Sequence, residues 1–151
     1  MLLKDSEVFK EWIAQIDKNL LKGSLVGGLI TLIVQSSRAT VGMAILLGKQ
    51  ELITLAGGLA LKLGSELGTC SDTLIATIKG SRQAIKAGMF HLFFNLTTIV
   101  IGLLVFDYFY DIVVYISKNQ SLDSQIANGY LIFNIASVLV LFPLVGLNQR
   151  F

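Results

Sequence analysis

Two long apolar runs constrain this chain more than any other feature of its sequence. They extend from Ala87 to Phe106 and from Ile126 to Leu147, and each reaches the ~20 residues that an α-helix needs to cross a bilayer. Hydrophobic residues make up 54% of the 151 positions and charged residues only 15%, whereas soluble domains carry roughly 25% charge. The sequence therefore predicts an all-α membrane protein, integral to a lipid bilayer, with the plasma (inner) membrane as its expected location.

Charge and cysteine content exclude several functional classes. A formal net charge of +2 with scattered lysines does not provide a nucleic-acid surface, so we expect no nucleic-acid partner. The single Cys70 cannot form an internal disulfide, and the first residues lack the pattern of a cleaved signal peptide. No nucleophile with a base, phosphate-binding glycine loop or metal cluster is visible, so we expect neither an enzyme nor a bound cofactor.

Apolar periodicity divides the chain into five parts. Residues 1–18 predict an amphipathic helix on the membrane surface or on a partner. The next segments are a hairpin at about 20–47, interrupted at Gln35 to Thr40, and a broken helix at about 50–79, interrupted at Gly64 to Thr73. Membrane helices follow at about 83–116 and 126–147. Interrupted apolar helices persist only where they are buried or line a cavity, which is typical of transporter sites.

The two interruptions carry groups suited to ions. Gly64 and Gly68 allow the backbone to unwind, and neighbouring hydroxyls and freed carbonyls are ligands of the kind that replace water around Na⁺. The hydroxyls are those of Ser65, Thr69, Ser71 and Thr73. The N-termini of the half-helices beyond each break would offer N–H groups to an anion. The residues alone therefore favour a transporter site, with a polar helix-packing patch as the alternative.

Three short motifs resemble the signatures of the Na/Pi cotransporter family, the type II sodium-dependent phosphate cotransporters. They are Gln35-Ser36-Ser37-Arg38-Ala39-Thr40, Gly64-Ser65-Glu66-Leu67-Gly68-Thr69-Cys70 and His91-Leu92-Phe93-Phe94-Asn95. A glycine-rich lead at 23–31 precedes the first motif, and the segment 127–134 is similar to the closing helix of the family. The resemblance covers roughly residues 19–147 and is to a single repeat, the C-terminal one.

The resemblance implies a fold and a site. The fold would be one transporter repeat with a re-entrant helical hairpin and a broken transmembrane helix, paired with an inverted second repeat from another copy (a homodimer) or from a separate chain. The alternative is that the chain is a fragment of a transporter. The implied function is sodium-coupled symport of inorganic phosphate. The substrate-binding residues implied are Gln35, Ser36, Ser37, Arg38, Thr40, Gly68, Thr69 and Asn95, and those implied for the coupling sodium ion are Gln35, Ser37, Glu66, Thr69, Ser71 and Asp72.

Three formal charges depart from the family pattern. Arg38 replaces a serine, Glu66 replaces an asparagine, and Asp72 follows shortly after. An unpaired charge inside a membrane costs at least ~2.5 kcal/mol, so we expect Arg38 to pair with Glu66 or Asp72. Arg38 would then bind phosphate oxygens, occupy the place of a coupling Na⁺, or belong to a structural ion-pair network.

Two alternatives to sodium-coupled phosphate transport follow from these departures. A carboxylate in the site could carry protons, which would give a proton-coupled transporter of this or another small anion. The chain could also be a regulatory or assembly subunit that keeps the fold without transport. His91 is expected to serve helix packing, and Asn95 and Asn134 either cap freed carbonyls or contact ligand.

Overall fold

The computed structural model describes residues 7–78 and 80–148, except for the side chains of residues 8–10, 72, 76, 141 and 144–148. The elements are α1 (Glu7–Lys18), α2 (Leu20–Val34), α3 (Ser37–Lys49), α4 (Leu55–Thr77), α5 (Arg82–Leu104), α6 (Phe106–Ile116) and α7 (Leu122–Asn148). Every regular element in these described ranges is an α-helix, which confirms the all-α prediction. Residues 1–6 of the predicted amphipathic segment lie outside the description.

One helix in the described part of the chain, α5, is long and apolar enough to cross a membrane by its length and composition. Its 23 residues rise ~35 Å, which exceeds the ~30 Å hydrocarbon core. Large apolar side chains such as Phe93 and Leu104 remain exposed on it, at 66% and 80%. A helix with such an outer surface fits a membrane protein. The predicted span 126–147 falls on α7 and stays a prediction.

The first interruption is narrower than predicted. Gln35 ends α2 in the left-handed region (φ 54°, ψ 33°), and Ser36 is extended and caps α3, whose first residue is Ser37. Ser36 closes the turn because its Oγ accepts a hydrogen bond from the N–H of Ala39 at 3.3 Å, the usual way to satisfy a free helix N-terminus. Two residues therefore break the helix, and Arg38 and Thr40 lie on regular α3.

The prediction of a broken helix at Gly64 to Thr73 is wrong. The segment lies inside α4, which is continuous from Leu55 to Thr77. The glycines serve close packing instead: a Cβ at Gly64 would overlap the carbonyl group of Ser24, and a Cβ at Gly68 would overlap Thr31. Small residues let two membrane helices approach at backbone distance, so glycine at these positions brings α2 against α4 without unwinding it.

The single helix predicted at about 83–116 is two helices. The chain bends at Val105 (φ −105°, ψ 21°) between α5 and α6. The bend allows α6 to bury Phe109 and Val113, and the Phe109 ring meets Phe133 of α7 edge-on at 5.8 Å between centroids. The last helix begins at Leu122, earlier than residue 126, and continues through Pro143.

The centre of the fold is α4, which packs against α1, α2, α3, α5 and α7. Leu59 and Leu63 on α4 are fully buried and form a core with apolar residues of the other helices. The N-terminus of α4 is tied to α1, because Asp17 Oδ1 accepts hydrogen bonds from the N–H and the Oγ1–H of Thr54 at 3.0 and 2.8 Å. The amphipathic segment is thus held against the bundle.

Candidate functional site

The polar side chains of the turn between α2 and α3 differ in solvent exposure. The backbone N–H of Gln35 donates to the carbonyl of Thr31 at 2.6 Å, and the Gln35 side chain is exposed. Ser36 and Ser37 are half-buried, and Arg38 is exposed. The Gln35 amide and the Arg38 guanidinium are therefore the accessible polar groups of the first motif.

Thr40 has a structural role within this motif. It is buried, and its Oγ1 lies 2.6 Å from Oγ1 of Thr31, which is also buried. Thr40 Oγ1 donates to the Ser36 carbonyl at 3.3 Å, so the proton of the 2.6 Å bond comes from Thr31. This bond joins α2 to α3 directly behind the turn, and Thr40 can reach a ligand only as an acceptor.

The second motif meets the first through Gly68. Gly68 packs directly against the side chain of Thr31, whose hydroxyl is hydrogen-bonded to Thr40. The structure thus brings Thr40 and Gly68 together around Thr31. Next to Gly68 is a groove of about 150 Å³, lined by Leu25, Gly28, Leu29, Leu32, Leu67 and Gly68. Its lining is apolar, so this groove does not suit an inorganic anion.

The hydroxyls of the second motif bond to carbonyls of their own helix. Ser65 donates to the Lys62 carbonyl at 2.7 Å, Thr69 to the Ser65 carbonyl at 3.0 Å, and Ser71 to the Gly68 carbonyl at 2.5 Å. Because α4 is unbroken, the backbone carbonyls expected to hold Na⁺ are engaged in the helix. Thr69 and Ser71 remain half-buried and retain lone pairs that can accept a hydrogen bond or face a cation.

Glu66 pairs with a residue that the sequence analysis missed. Its carboxylate Oε1 bonds Nζ of Lys62, one turn earlier on α4. Lys62 is fully buried, and its Nζ lies 4.9 Å from the ring centroid of Tyr130 and 4.7 Å from that of Phe133. Carboxylate and aromatic faces together offset the cost of removing an ammonium group from water. The signal was present: a lysine inside an apolar stretch with a glutamate at i+4.

The expected ion pair of Arg38 with Glu66 is therefore not formed. The Glu66 carboxylate is turned to Lys62, and the Arg38 side chain is exposed on α3. Asp72 lies on α4, but its side chain is outside the described part of the structure. The observed contact of Glu66 fits a structural ion pair, formed with Lys62 and not with Arg38.

Asn95 and His91 of the third motif connect α5 to α4. Asn95 is buried, and its Nδ2 lies 3.4 Å from the Glu66 carbonyl and 3.3 Å from His91 Nε2. The other ring nitrogen of His91, Nδ1, lies 2.9 Å from Thr73 Oγ1. Both residues therefore hold the helices together, as expected for His91, and Asn95 caps a carbonyl of α4 rather than extending into open space.

The described residues include no group of three or more His, Cys, Asp or Glu side chains placed to hold a metal ion. A monovalent cation would instead depend on oxygen atoms of hydroxyls, amides and carbonyls. The candidates among the described side chains are Gln35 and Ser37 at the turn and Thr69 and Ser71 on α4. Gln35 is exposed, while the other three are half-buried.

Comparison with known proteins bears on this arrangement. No solved structure matches the chain. A protein of Bacillus subtilis (strain 168), described as uncharacterized protein YqeW, is 27% identical over 126 residues, which make up 83% of this chain. The match covers 40% of the Bacillus protein, so the chain spans about two fifths of the length of this relative.

A family model agrees with the resemblance carried by the three motifs. The model described as Na+/Pi-cotransporter matches residues 4–140. This range includes the turn at Gln35, all of α4 and the His91–Asn95 pair. The chain therefore belongs to the Na+/Pi-cotransporter family.

Proposed function

We propose that this chain is one half of a secondary transporter that moves inorganic phosphate across a membrane together with sodium. The observation that carries the proposal is the match of residues 4–140 to the Na+/Pi-cotransporter family. The family description supports transport rather than catalysis. Because the chain spans 40% of the Bacillus relative, a complete transporter would need a second half.

The turn at Gln35 to Arg38 is the proposed substrate contact. Its support is the exposure of the Gln35 amide and the Arg38 guanidinium beside the N-terminus of α3, which Ser36 caps. An arginine presents paired N–H donors that match the oxygens of phosphate. In a membrane, the α2–α3 pair would enter as a re-entrant hairpin, since α2 and α3 contain only 15 and 13 residues against the ~20 of a full span.

Sodium coupling is the finer part of the proposal. Gln35, Ser37, Thr69 and Ser71 are the oxygen-bearing side chains proposed to share a cation with the bound anion. Glu66 is a poor member of this set, because its carboxylate already neutralises Lys62. That contact removes one oxygen ligand from the sodium set and favours a second candidate, in which the same chain transports its anion without a coupling ion.

Binding of radiolabelled phosphate to the purified chain in detergent tests the proposal, with and without Na⁺ and from pH 5 to 8. We expect sodium to raise the affinity and Gln35→Ala to abolish binding. Gln83→Ala is the matched control, because Gln83 is exposed at the start of α5. Ser36→Ala is less clean, since loss of the α3 cap costs about 1 kcal/mol of stability. If the affinity for phosphate is the same with and without sodium at every pH, the proposed sodium coupling is wrong.

The variant Arg38→Ser in the same assay distinguishes two roles for Arg38, phosphate binding and blocking of the site. If Arg38 binds phosphate, the variant binds more weakly than the wild type. If Arg38 blocks the site in a regulatory subunit, the wild type binds nothing and Arg38→Ser gains binding. If two copies of the chain form the complete transporter, vesicles that contain only this purified chain should take up phosphate.

Pairing of two copies is tested by a disulfide crosslink at the turn. Ser37→Cys is introduced together with Cys70→Ser, which removes the only native cysteine. A homodimer that shares one central site brings the two turns together, so mild oxidation should give a dimer band in membranes. The control is Gln83→Cys in the same background. Only monomer from Ser37→Cys would favour a separately encoded second half.

A further inference from the structure

A second surface lies at the other end of α2. A groove of about 290 Å³ between α1 and α2 is lined by Trp12, Gln15, Ile16, Lys22, Leu25 and Val26. Lys22 is 13 residues before Gln35 on the chain, a distance of ~20 Å along a helix. The Lys22 end of the groove is therefore ~20 Å from the proposed phosphate contact at Gln35.

The groove continues along α2. Leu25 lines it and also lines the apolar groove of about 150 Å³ that extends past Leu29 and Leu32 to Gly68. Leu25, Leu29 and Leu32 follow the i, i+4, i+7 spacing of one helix face and are exposed by 60%, 60% and 49%. From Lys22 to Leu32 this continuous path, here called the lipid groove, is ~15 Å long, which is half of the ~30 Å hydrocarbon core.

The two ends of the lipid groove differ in chemistry. Lys22 is the one charged residue among those lining the two grooves, and it is exposed. Trp12 lies at the same end with 63% of its surface exposed. Tryptophan and lysine side chains are typical of the headgroup level of a membrane, whereas the leucines at the far end suit hydrocarbon. A single amphiphile with an anionic head and an apolar tail matches this polarity.

We propose that the lipid groove binds one anionic phospholipid. Its headgroup phosphate contacts the Lys22 ammonium beside Trp12, and one acyl chain lies along Leu25, Leu29 and Leu32 toward Gly68. The ~15 Å path matches the depth of one leaflet, and the position of α1 agrees with an amphipathic helix at the membrane surface. The bound lipid would join α1 to the hairpin arm α2.

The experiment uses Trp12, which is the only tryptophan of the chain, as its reporter. Purified full-length protein in detergent is titrated with brominated phosphatidylglycerol or brominated phosphatidylcholine, and quenching of tryptophan fluorescence is recorded. We expect saturable quenching near one lipid per chain, with phosphatidylglycerol bound about fivefold more tightly, the effect of one lysine near an anionic headgroup. Lys22→Gln should abolish this preference, and Lys49→Gln, a change of an exposed lysine on α3, should keep it.

The path of the acyl chain has its own pair of variants. Leu29→Gln should weaken both lipids equally, because it places an amide on the apolar path. Leu46→Gln, at a leucine of α3 with 57% exposure, should leave both unchanged. Circular dichroism of each variant verifies that the helices are intact.

Other outcomes overturn the proposal. Linear, non-saturating quenching that is equal for both lipids means that Trp12 only contacts bulk lipid. Reversal of the quenching by millimolar inorganic phosphate means that Lys22 binds a free anion. Quenching that decreases as protein concentration rises, at a constant lipid-to-protein ratio, means that a second copy covers the groove. None of these readouts measures transport, so failure here is distinct from failure of the phosphate site.

Discussion

Lys62 and Glu66 form an ion pair one helical turn apart in the interior of α4, and the lysine side chain is fully buried. Its ammonium group also lies under the rings of Tyr130 and Phe133 of α7. A pair of this kind adds little net stability over an apolar replacement, but loss of one partner leaves a buried charge without compensation. The packing of α4 against α7 therefore depends on the presence of both charges.

A double-mutant comparison tests this dependence. Glu66→Leu alone should cost about 3–5 kcal/mol, since the Lys62 charge loses its counterion, and the melting temperature in detergent should fall by ~10 °C. Lys62→Met together with Glu66→Leu should recover most of that loss. If the double variant is as unstable as Glu66→Leu alone, the pair contributes more than charge compensation.

The glycines of α2 provide a second prediction. A Cβ at Gly27 would overlap the backbone of Leu61, while a Cβ at Gly42 would meet nothing within 4 Å. Gly27→Ala should therefore destabilise the protein by about 1–3 kcal/mol, the usual cost of overpacking. Gly42→Ala is the matched control on α3 and should stabilise it by up to about 1 kcal/mol, because alanine favours a helix. Thermal unfolding of both variants in the same detergent gives the comparison, and equal melting temperatures would contradict the tight α2–α4 contact.

Asp17 should control how firmly α1 is held. Its Oδ1 accepts two hydrogen bonds from Thr54 at the N-terminus of α4, and hydrogen bonds to a charged group contribute about 1.5–3 kcal/mol. Asp17→Ala should release α1 and expose the α1–α2 junction to limited proteolysis. Glu11→Ala, at an exposed position of the same helix, should leave the cleavage rate at the wild-type value. Identical cleavage of the two variants would mean that α1 is held by apolar contacts alone.

His91 should carry its proton on Nδ1 when neutral. Asn95 Nδ2 points to both the Glu66 carbonyl and His91 Nε2; a carbonyl only accepts, so Nδ2 is the donor and Nε2 must accept. Nδ1–H then donates to Thr73. His91 is the only histidine, so ¹⁵N spectra of histidine-labelled protein report its tautomer without assignment. An Nε2–H tautomer would show that the Asn95 amide is turned the other way.

Sequence reasoning predicted the helical class and the turn at Gln35, because apolar periodicity and a polar interruption act locally. It failed at Gly64 and Gly68, since glycine is compatible with both unwinding and close packing, and only the position of α2 decides between them. It also missed Lys62, whose stabilising partners come partly from α7, far away in the sequence. The expected pair of Arg38 with Glu66 failed for a related reason, because the Glu66 carboxylate is paired with Lys62.

The glycine contact between α2 and α4 has a mechanical consequence. Where backbones touch, as at Gly27 with Leu61 and at Gly64 with Ser24, no layer of side chains is present that could deform while one helix slides past the other. We therefore expect the segments of α2 and α4 around these contacts to move together. A displacement of the Gln35 turn is then expected to carry α4 with it, and bending is expected where side chains separate the helices.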